Sequence, residues 1–397
     1  MKKHKIAVVG LGQRGKEWIN LLVGREDSQV VAVCDVYEDR VQDMAKLLEE
    51  KGKGENLKYK VTDYHELLDK KDIEIVILIV SWEKHVDASI DFMNAGIITA
   101  LEVGGAYSIQ DCYRLIDAYE RTKTPFFFME NCCYGKRELM ALRMVQEGVF
   151  GEIVHCSGAY AHDLREEIAA GEENRHYRLR NYRMRNCENY PTHELGPIAK
   201  ILNINHGNRM VSLVSKSSKA AGLAHYVKET RPQETNLIFQ QGDIVNTIIT
   251  CAGGETILLT LDTTLPRPYS RSLTVRGTKG MYFEDNDSVF LHEEHYPEYH
   301  FDGKSLWGNA EKYEEKYLPD VWKVDGKSGD AGESGHGGMD QVMFDDFLRC
   351  VEERKPMPID VYDAAAWMSV SVLSEVSIQK GGMPVEIPDF TNGRWLL

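Results

Sequence analysis

Short apolar runs alternate with amphipathic stretches along the first third of the chain. The apolar runs read KIAVVG, VVAVCD, IVILIV, IITALEV and FFFME, and the amphipathic stretches between them are Gln13–Val23, Glu38–Glu50, Lys84–Asn94 and Ile109–Arg121. Strands that alternate with helices predict βαβ units and a parallel sheet. The run Ile75–Val80 has no polar alternation, which is typical of a strand buried on both faces.

The pattern changes after about Asn131. The segments GEIVHCSGAYAH, NTIITCAGGETILLTLDTTL and SRSLTVRGTKGMYFED alternate apolar and polar residues between glycine-bearing turns. This alternation predicts a mostly antiparallel sheet with one exposed face. Helical spacing returns over Met339–Glu352 and Val361–Gln379, whereas the polar segments Glu166–Asn189 and Asp302–Gly338 predict long loops of the kind that often close or line active sites.

These patterns predict two domains, as does the length of 397 residues, because one domain usually has about 100 to 200. The predicted fold class is α/β: an N-terminal Rossmann-type parallel sheet over residues 1–130, then a C-terminal α+β domain over 131–397. The second domain is built on a large, mostly antiparallel open sheet. Its C-terminal helices are candidates to pack back on the first domain.

A glycine-rich turn follows the first predicted strand. Gly10, Gly12 and Gly15 precede a predicted helix, and Asp35 ends the second predicted strand. Glycines there permit a tight turn and close approach of a pyrophosphate to the helix N-terminus. Asp35 can accept hydrogen bonds from both ribose hydroxyls, and its charge would repel a 2′-phosphate. The whole context predicts an NAD(H) site and favours NAD over NADP.

Polar residues also mark the ends of later strands. Gln13 and Arg14 begin the first helix, where an amide and a guanidinium can meet phosphate oxygens. A solvated helix face is the alternative for Arg14. The segment 81–85 follows IVILIV, and Glu102-Val103 and Glu130-Asn131 repeat that position on the next two strands. Ligands of open α/β sheets bind at such carboxyl ends.

Composition narrows the possible partners. Hydrophobic residues make up 43% of the chain, charged residues 27%, and the formal net charge is −15. That charge would repel nucleic acid and anionic membranes, so we expect a small-molecule substrate. The eight cysteines lack zinc-site spacing, and we expect reduced thiols. The start MKKHKIAVVGLG has no cleavage site, and no apolar run approaches the roughly 20 residues of a membrane span, so we expect a cytoplasmic protein.

The two-part pattern resembles the glucose-fructose oxidoreductase, inositol dehydrogenase and MocA superfamily. Ordinary members carry Glu-Lys-Pro after the strand that corresponds to residues 97–102, and the lysine holds the hydroxyl that is oxidised. Here Glu102 is followed by Val103 and Gly104, so that lysine is absent. Their Asp-x-x-x-His motif reads here Asn189-Tyr190-Pro191-Thr192-His193. Both departures weaken the interpretation as a plain polyol dehydrogenase.

Several stretches are instead similar to glycoside hydrolase family 109, the NAD-dependent α-N-acetylgalactosaminidase group of this superfamily. They span nearly the whole chain and include GLGQRG, SWEKH, ENCCYGKRELMALRMVQEGVFGEIVH, GAYAHDLR, NYPTHELGP, TLPRPYSR, GHGGMD and IPDFTNGRW. Besides the turn glycines, the resemblance implies NAD contacts from Gln13, Arg14, Asp35, Trp82, Glu83, Lys84, His85, Glu102, Val103, Asn131 and Tyr190. It implies sugar contacts from Tyr160, Arg178, Tyr190, Pro191, Thr192, His193 and Tyr269, and a homo-oligomer is common among relatives.

The cofactor offers a route to glycoside cleavage that needs no flanking pair of carboxylates, and no such pair stands out among the 62 acidic residues. NAD would oxidise sugar carbon 3, which makes the carbon 2 proton acidic. The glycosidic oxygen then leaves by elimination, water adds, and the hydride returns to carbon 3. The predicted enzyme is therefore a redox-neutral, NAD-dependent glycosidase.

Three residues are the predicted catalytic groups. Tyr160 is the candidate base at carbon 2, although an unperturbed tyrosine has a pKa of about 10 and needs help near neutral pH. Arg178 is the candidate source of that help. His193 precedes a predicted helix over Glu194–Leu202 and suits proton transfer to a leaving oxygen or from the carbon 3 hydroxyl. Without the family match, Tyr160 would be assigned to sheet packing and His193 to a structural role.

Other polar residues stay open to two interpretations. Tyr190 and Tyr269 suit stacking on a nicotinamide or a sugar, but also ordinary core packing. His336 and Asp340 follow the glycine-rich loop and suit closure over the site, while a helix cap explains Asp340 equally well. Asp163 beside His162 offers two metal ligands without a third, so we expect no metal.

Two alternatives to the glycosidase remain at this stage. The first is an NAD-dependent sugar or polyol dehydrogenase that exchanges its cofactor with solution. The second is a noncatalytic NAD-binding sensor. The glycosidase, the dehydrogenase and the sensor differ in whether sugar is released and in whether reduced cofactor accumulates.

Overall fold

The computed structural model describes residues 2–233, 237–295, 303–324, 327–328 and 336–396. The chain forms two compact units, each built from more than one stretch. Unit 1 comprises Met1–Val103, Ile109–Glu130 and Ala331–Ala365, and unit 2 comprises Gly104–Ser108, Asn131–Asp330 and Ala366–Leu397. No helix in the described part of the chain is long and apolar enough to cross a membrane.

A six-stranded parallel sheet forms the centre of unit 1, as predicted. Its strands are β1 (His4–Val9), β2 (Ser28–Cys34), β3 (Tyr59–Val61), β4 (Ile75–Leu78), β5 (Ile98–Leu101) and β6 (Phe126–Phe128). The order β3-β2-β1-β4-β5-β6 is that of a doubly wound dinucleotide-binding sheet. Strand β3 was missed in the sequence because it has only three residues and none of them is buried.

A larger sheet forms the centre of unit 2, and the prediction that it is mostly antiparallel is confirmed. The remaining strands are β7 (Ile153–Ala161), β8 (Met210–Ser217), β9 (Ile244–Cys251), β10 (Thr256–Asp262), β11 (Thr274–Gly277), β12 (Gly280–Phe283), β13 (Ser288–Leu291), β14 (Lys323–Val324), β15 (Lys327–Ser328) and β16 (Val385–Glu386). The eight-stranded order is β13-β12-β11-β7-β10-β9-β8-β16, in which only β7 and β10 pair in parallel among the described residues. Along β9, buried and exposed residues alternate, which gives the sheet its exposed face.

The helices agree closely with the hydrophobic spacing where they are long. They are α1 (Gln13–Val23), α2 (Glu38–Glu50), α3 (His85–Asn94), α4 (Ile109–Thr122), α5 (Lys136–Gln146), α6 (Arg165–Ala169), α7 (Arg178–Met184), α8 (Thr192–Ile201), α9 (Gly222–Thr230), α10 (His292–His295), α11 (Glu314–Tyr317), α12 (Met339–Glu353) and α13 (Val361–Gln379). Both α6 and α7 lie mainly or wholly within the predicted loop Glu166–Asn189, and both are too short to show helical periodicity.

The second predicted loop, Asp302–Gly338, lies partly outside the described residues, at 302, 325–326 and 329–335. Its described part contains α11, β14, β15 and short 3₁₀ turns. It therefore carries more local structure than the glycine content suggested.

Helix α12 packs within unit 1. Phe347 stacks on Phe127 of β6 with ring centroids 5.0 Å apart, and Phe344 contacts Trp18 of α1 at 5.5 Å. All four side chains are almost completely buried. Aromatic pairs at these separations add stability beyond the area they bury.

An ion cluster fixes the start of α12 to α1 and to the end of β5. Arg14 donates two hydrogen bonds to Asp340, at 2.6 and 2.8 Å, and a third to Glu102 at 2.8 Å. His336 lies 3.1 Å from Asp340. Burial raises the pKa of Asp340, but the hydrogen bonds and charges of Arg14 and His336 outweigh it and hold that pKa well below its usual range.

Replacing Asp340 by Asn should therefore lower the free energy of unfolding, and the size of this loss should depend on pH. Removing one partner of a buried ion pair costs about 3 kcal/mol at neutral pH. Because the folded-state pKa is lowered, this stabilisation is present above the unfolded pKa of about 3.9 and is lost as pH falls through the folded value. Urea unfolding of both proteins should show a gap near neutral pH that shrinks in strong acid.

Asp43, exposed on α2, gives the matched control. Asp43→Asn should leave the free energy of unfolding within about 0.5 kcal/mol of the wild type. A gap for Asp340→Asn that is absent, or that does not change with pH, would contradict the stabilising role of the cluster.

Candidate active site

The turn between β1 and α1 requires glycine at two positions. Gly10 has a φ of +95°, and a Cβ there would come within 2.1 Å of the Ile79 carbonyl oxygen. A Cβ on Gly15 would lie 2.1 Å from the Gly10 carbonyl oxygen. The tight path of the chain, rather than a ligand, explains both glycines.

Gly12 has no such structural reason. Its φ is −66°, and a Cβ there would meet only Arg40, at an ordinary 3.7 Å, among the described residues. Gly12 is also the N-cap of α1, and in the described part of the chain no side chain caps that helix. A bare helix N-terminus without a Cβ in front of it is what a pyrophosphate needs.

Asp35 lies beside that turn and is 5% exposed. Its two carboxylate oxygens accept hydrogen bonds from the backbone amides of Leu11, at 2.7 Å, and Tyr37, at 3.0 Å. Each oxygen keeps a further lone pair for a ribose hydroxyl. The Arg40 guanidinium lies 3.5 Å away and stacks on Tyr37.

The ends of β4 and β5 hold buried acceptor atoms suited to a ligand. Residues 82–84 form a 3₁₀ turn, after which His85 Nε2 lies 3.0 Å from the Val80 carbonyl oxygen. Burial lowers the pKa of His85 to about 4, so its ring is neutral. Among the described residues, His85 Nδ1 and Glu102 Oε2 are buried without hydrogen-bond partners. Together with Gly12 and Asp35, these atoms fit NAD.

Arg14 is already engaged by carboxylates in unit 1. Besides Asp340 and Glu102, it lies 3.2 Å from Glu17. Burial acts to lower the pKa of Arg14, but the charges and hydrogen bonds of Glu102 and Asp340 raise it well above its usual value. Burial also raises the pKa of Glu102, which the charge of Arg14 opposes.

In unit 2, three rings predicted as site residues lie together. Tyr160, near the end of β7, has its ring centroid 4.8 Å from Tyr190 and 5.5 Å from His193. Tyr190 and His193 are 4.8 Å apart. Tyr190 immediately precedes the residues that begin α8, so the strand end and the helix start bring the rings together.

Arg178, at the start of α7, completes this cluster. Its guanidinium lies 5.0 Å from the centre of the Tyr190 ring, and its Nε is 3.0 Å from Glu167. The side chain is only 12% exposed. Burial acts to lower the pKa of Arg178, but Tyr160, Glu167 and neighbouring phenols raise it well above its usual value.

Tyr160 is 4% exposed, and burial raises its pKa to about 12. The charge of Arg178 and a hydrogen bond from it act in the opposite direction. Arg178 thus acts to lower the pKa of Tyr160, although burial dominates. At neutral pH the hydroxyl of Tyr160 carries its proton.

The remaining predicted residues of unit 2 are placed as follows. Pro191 is the N-cap of α8 and Thr192 begins it, with a buried Oγ1 that has no hydrogen-bond partner among the described residues. Tyr269 is 48% exposed and accepts a hydrogen bond from Arg271 at 3.2 Å. Asn131 is buried in a 3₁₀ turn over Asn131–Tyr134.

The sequence analysis assigned none of three neighbours to this cluster, and it considered His162 only as a metal ligand beside Asp163. His162 lies between the rings of Tyr160 and Tyr269, Glu167 pairs with Arg178, and Arg271 is held by Glu138. A strand period places His162 on the face of Tyr160, because residues two apart share a face, but β7 ends at Ala161 and the period names no contact. Glu167 lay in a stretch assigned to a loop, where no period points to a partner.

Both parts of the chain match known families. Residues 4–129 match the oxidoreductase family with an NAD-binding Rossmann fold, and residues 134–397 match the C-terminal domain of glycosyl hydrolase 109. An alpha-N-acetylgalactosaminidase from Tannerella forsythia is 34% identical over 99% of this chain and 87% of its own. A glycosyl hydrolase family 109 protein from Stenotrophomonas maltophilia (strain K279a) is 36% identical over 99% of this chain and 90% of its own.

Solved structures share the fold at low identity. An oxidoreductase domain protein from Kribbella flavida has a TM-score of 0.73 at 13% identity, covering 98% of this chain and 100% of its own. A scyllo-inositol dehydrogenase from Lactobacillus casei, solved with NAD(H) and scyllo-inositol, has a TM-score of 0.67 at 14% identity, covering 97% and 99%. The full-length relatives and the two domain matches agree: this chain is a member of glycosyl hydrolase family 109, with an NAD-binding Rossmann domain.

Proposed function

We propose that this protein hydrolyses α-N-acetylgalactosaminides and that it keeps NAD bound through each turnover. The observation that carries the proposal is the cluster in unit 2 of two buried tyrosines, Tyr160 and Tyr190, with the partly buried Arg178 and His193. A 34% identical relative of this chain is named alpha-N-acetylgalactosaminidase. A phenol, an imidazole and a guanidinium suit proton transfer at a sugar. These four residues do not include the two carboxylates that flank the scissile bond in an ordinary glycosidase.

The two parts of the chain have different roles in the proposed reaction. Residues 1–130 hold the cofactor and residues 131–397 hold the sugar, with Asn131 and Tyr190 as cofactor contacts from the second part. The cofactor residues are Gly10, Gly12, Gln13, Arg14, Gly15, Asp35, Trp82, Glu83, Lys84, His85, Glu102, Val103, Asn131 and Tyr190. When bound, NAD supplies a hydride acceptor for sugar carbon 3 and a hydride donor at the end of the cycle.

Tyr160 takes the proton from carbon 2 once carbon 3 is a ketone, because the carbonyl acidifies the neighbouring C–H bond. The electron pair of that bond forms the double bond between carbons 1 and 2, and the glycosidic oxygen leaves. Arg178 stabilises negative charge on the tyrosine oxygen. Water then adds to carbon 1, and the proton returns to carbon 2.

His193 is the second proton-transfer group of the proposal. Its ring lies beside Tyr160 and Tyr190, in the first turn of α8. An imidazole there can accept the carbon 3 hydroxyl proton or protonate the leaving oxygen. Pro191, Thr192 and Tyr269 are the further sugar contacts. The Thr192 hydroxyl has no hydrogen-bond partner in the described part of the chain and suits a sugar hydroxyl.

A panel of nitrophenyl glycosides, beginning with the α-N-acetylgalactosaminide, tests the activity. The purified protein should release nitrophenol steadily without added NAD and without net formation of NADH. Stoichiometric NADH accumulation would support a sugar dehydrogenase instead. NAD binding with neither result would indicate a sensor.

Replacing Tyr160 by Phe should lower kcat by about 10²- to 10⁴-fold, the usual loss for a general base. NAD affinity should stay unchanged, because Tyr160 is not among the proposed cofactor residues. Tyr113→Phe, at an exposed position of α4, is the control and should retain full activity. Normal turnover by Tyr160→Phe would rule out this tyrosine as the base.

Replacing Asp35 by Ala should weaken NAD binding about 10- to 150-fold, because hydrogen bonds to a charged group contribute about 1.5–3 kcal/mol. It should also reduce the preference for NAD over NADP, since the carboxylate that repels a 2′-phosphate is gone. Calorimetric titration of cofactor-free protein measures both affinities. The exposed Asp43→Ala carries the same charge change, and an equal loss there would point to net charge rather than ribose recognition.

We also propose that the protein is cytoplasmic and homo-oligomeric. All eight cysteines are buried thiols, which suits a reducing compartment. The exposed face of the unit 2 sheet carries an apolar side chain, Ile248, which is 52% exposed on β9 and which self-association through that face would cover. Light scattering after size exclusion should give a multiple of 45.2 kDa, and Ile248→Lys should lower it. A wild-type mass of one chain would contradict the proposal.

A further inference from the structure

Tyr160 is a poor base when taken alone. Burial raises its pKa to about 12, which leaves the hydroxyl protonated near neutral pH even with Arg178 beside it. A protonated phenol can accept a proton from carbon 2 only if its own proton moves elsewhere. The hydroxyl therefore needs an acceptor within hydrogen-bond reach.

His162 lies in the position of such an acceptor. Its Nδ1 is 3.4 Å from the Tyr160 hydroxyl oxygen, and the two rings meet edge to face with centroids 5.9 Å apart. The distance is long for a hydrogen bond, but catalytic hydrogen bonds often tighten only when substrate is bound. His162 also contacts Tyr269 edge to face, with centroids 5.1 Å apart, which limits rotation of its ring.

We propose that His162 is the terminal proton acceptor of the carbon 2 step and that Tyr160 acts as the relay between sugar and imidazole. The inference rests on the proposed function and adds a residue to it. As the C2–H bond breaks, its proton joins the Tyr160 oxygen while the original hydroxyl proton passes to Nδ1 of His162. The C2–H electron pair becomes the C1=C2 bond, and the C1–O pair leaves with the glycosidic oxygen.

The surroundings of His162 suit this role. Its side chain is partly buried, and burial lowers its pKa, so Nδ1 has a free lone pair near neutral pH. The charged and titratable groups that act on His162, besides the phenols of Tyr160 and Tyr269, are Glu167, Arg178, His193 and Asp163. Glu167 and Asp163 favour the imidazolium that the relay creates, whereas Arg178 and His193 oppose it.

The relay predicts that kcat falls at low pH. Protonation of His162 removes the acceptor, so kcat should fall as pH drops through a pKa below about 6.5. His162→Asn keeps a hydrogen-bond acceptor near the Nδ1 position but cannot take up the proton. In that variant kcat should drop about 10²- to 10⁴-fold and the part of the acid limb due to His162 should vanish.

Isotope substitution separates the relay from a structural role. With deuterium at sugar carbon 2, His162→Asn should show a larger kinetic isotope effect than the wild type, because the carbon 2 step becomes rate-limiting. Oxidation at carbon 3, followed as the absorbance of enzyme-bound NADH in a single turnover, should persist. The matched control is His225→Asn, at a side chain that is 68% exposed on α9, and it should change none of these quantities.

A second variant keeps the test decisive if the first folds poorly. His162→Ala should regain activity with added imidazole, and the regained rate should depend on the pKa of substituted imidazoles. Three results would each overturn the relay. The first is a His162→Asn variant with the kcat and the acid limb of the wild type, and the second is a His162→Asn variant that no longer oxidises carbon 3. The third is a His162→Ala variant that imidazole does not rescue. A wild-type protein that releases no sugar would instead overturn the proposed function.

Discussion

The arrangement of unit 2 depends on a buried cation, the guanidinium of Arg178. Removing a guanidinium from water is costly unless charge and hydrogen bonds compensate. Here Glu167 provides a carboxylate and Tyr190 an aromatic face, while Tyr160 lies close enough to share a hydrogen bond. A phenol beside a buried cation is easier to deprotonate than a phenol in the same pocket without one. The element that carries Arg178, α7, thus links the stability of the pocket to its chemistry.

Arg14 in unit 1 shows the contrasting case. Asp340 binds it through two hydrogen bonds and Glu102 through a third, with Glu17 nearby, so its positive charge is compensated locally several times over. Such a guanidinium stabilises the fold, and its attraction for a phosphate is weaker than that of an uncompensated arginine. Most of the groups that act on Arg178 are phenols, which are neutral until a proton leaves. Its field is therefore available when charge develops on the tyrosine oxygen.

The sequence predicted the parts of this structure that follow a period or a motif. Helices α1, α2 and α13 have the predicted bounds, and the glycine turn with Asp35 lies where the motif placed it. Short elements were missed, because α6 and α7 span too few residues to show a repeat. The contact between Tyr160 and His162 was missed for a different reason: spacing gives a shared face but no hydrogen-bond partner, and burial that raises a pKa depends on the whole surrounding fold.

Position 103 shows where this chain differs from ordinary dehydrogenases in the placement of a cation. A lysine there would supply a cation for the hydroxyl that is oxidised and would restore one of the two features of plain dehydrogenases that this chain lacks; the other is the acid that Asn189 replaces. Val103 instead is apolar and buried, and the preceding Glu102 is used by Arg14. The chain instead has a largely buried cation in unit 2, Arg178, beside Tyr160, which is the proposed base at carbon 2. A cation placed there assists proton removal next to a carbonyl, which is the step that a hydrolase of this kind needs and a dehydrogenase does not.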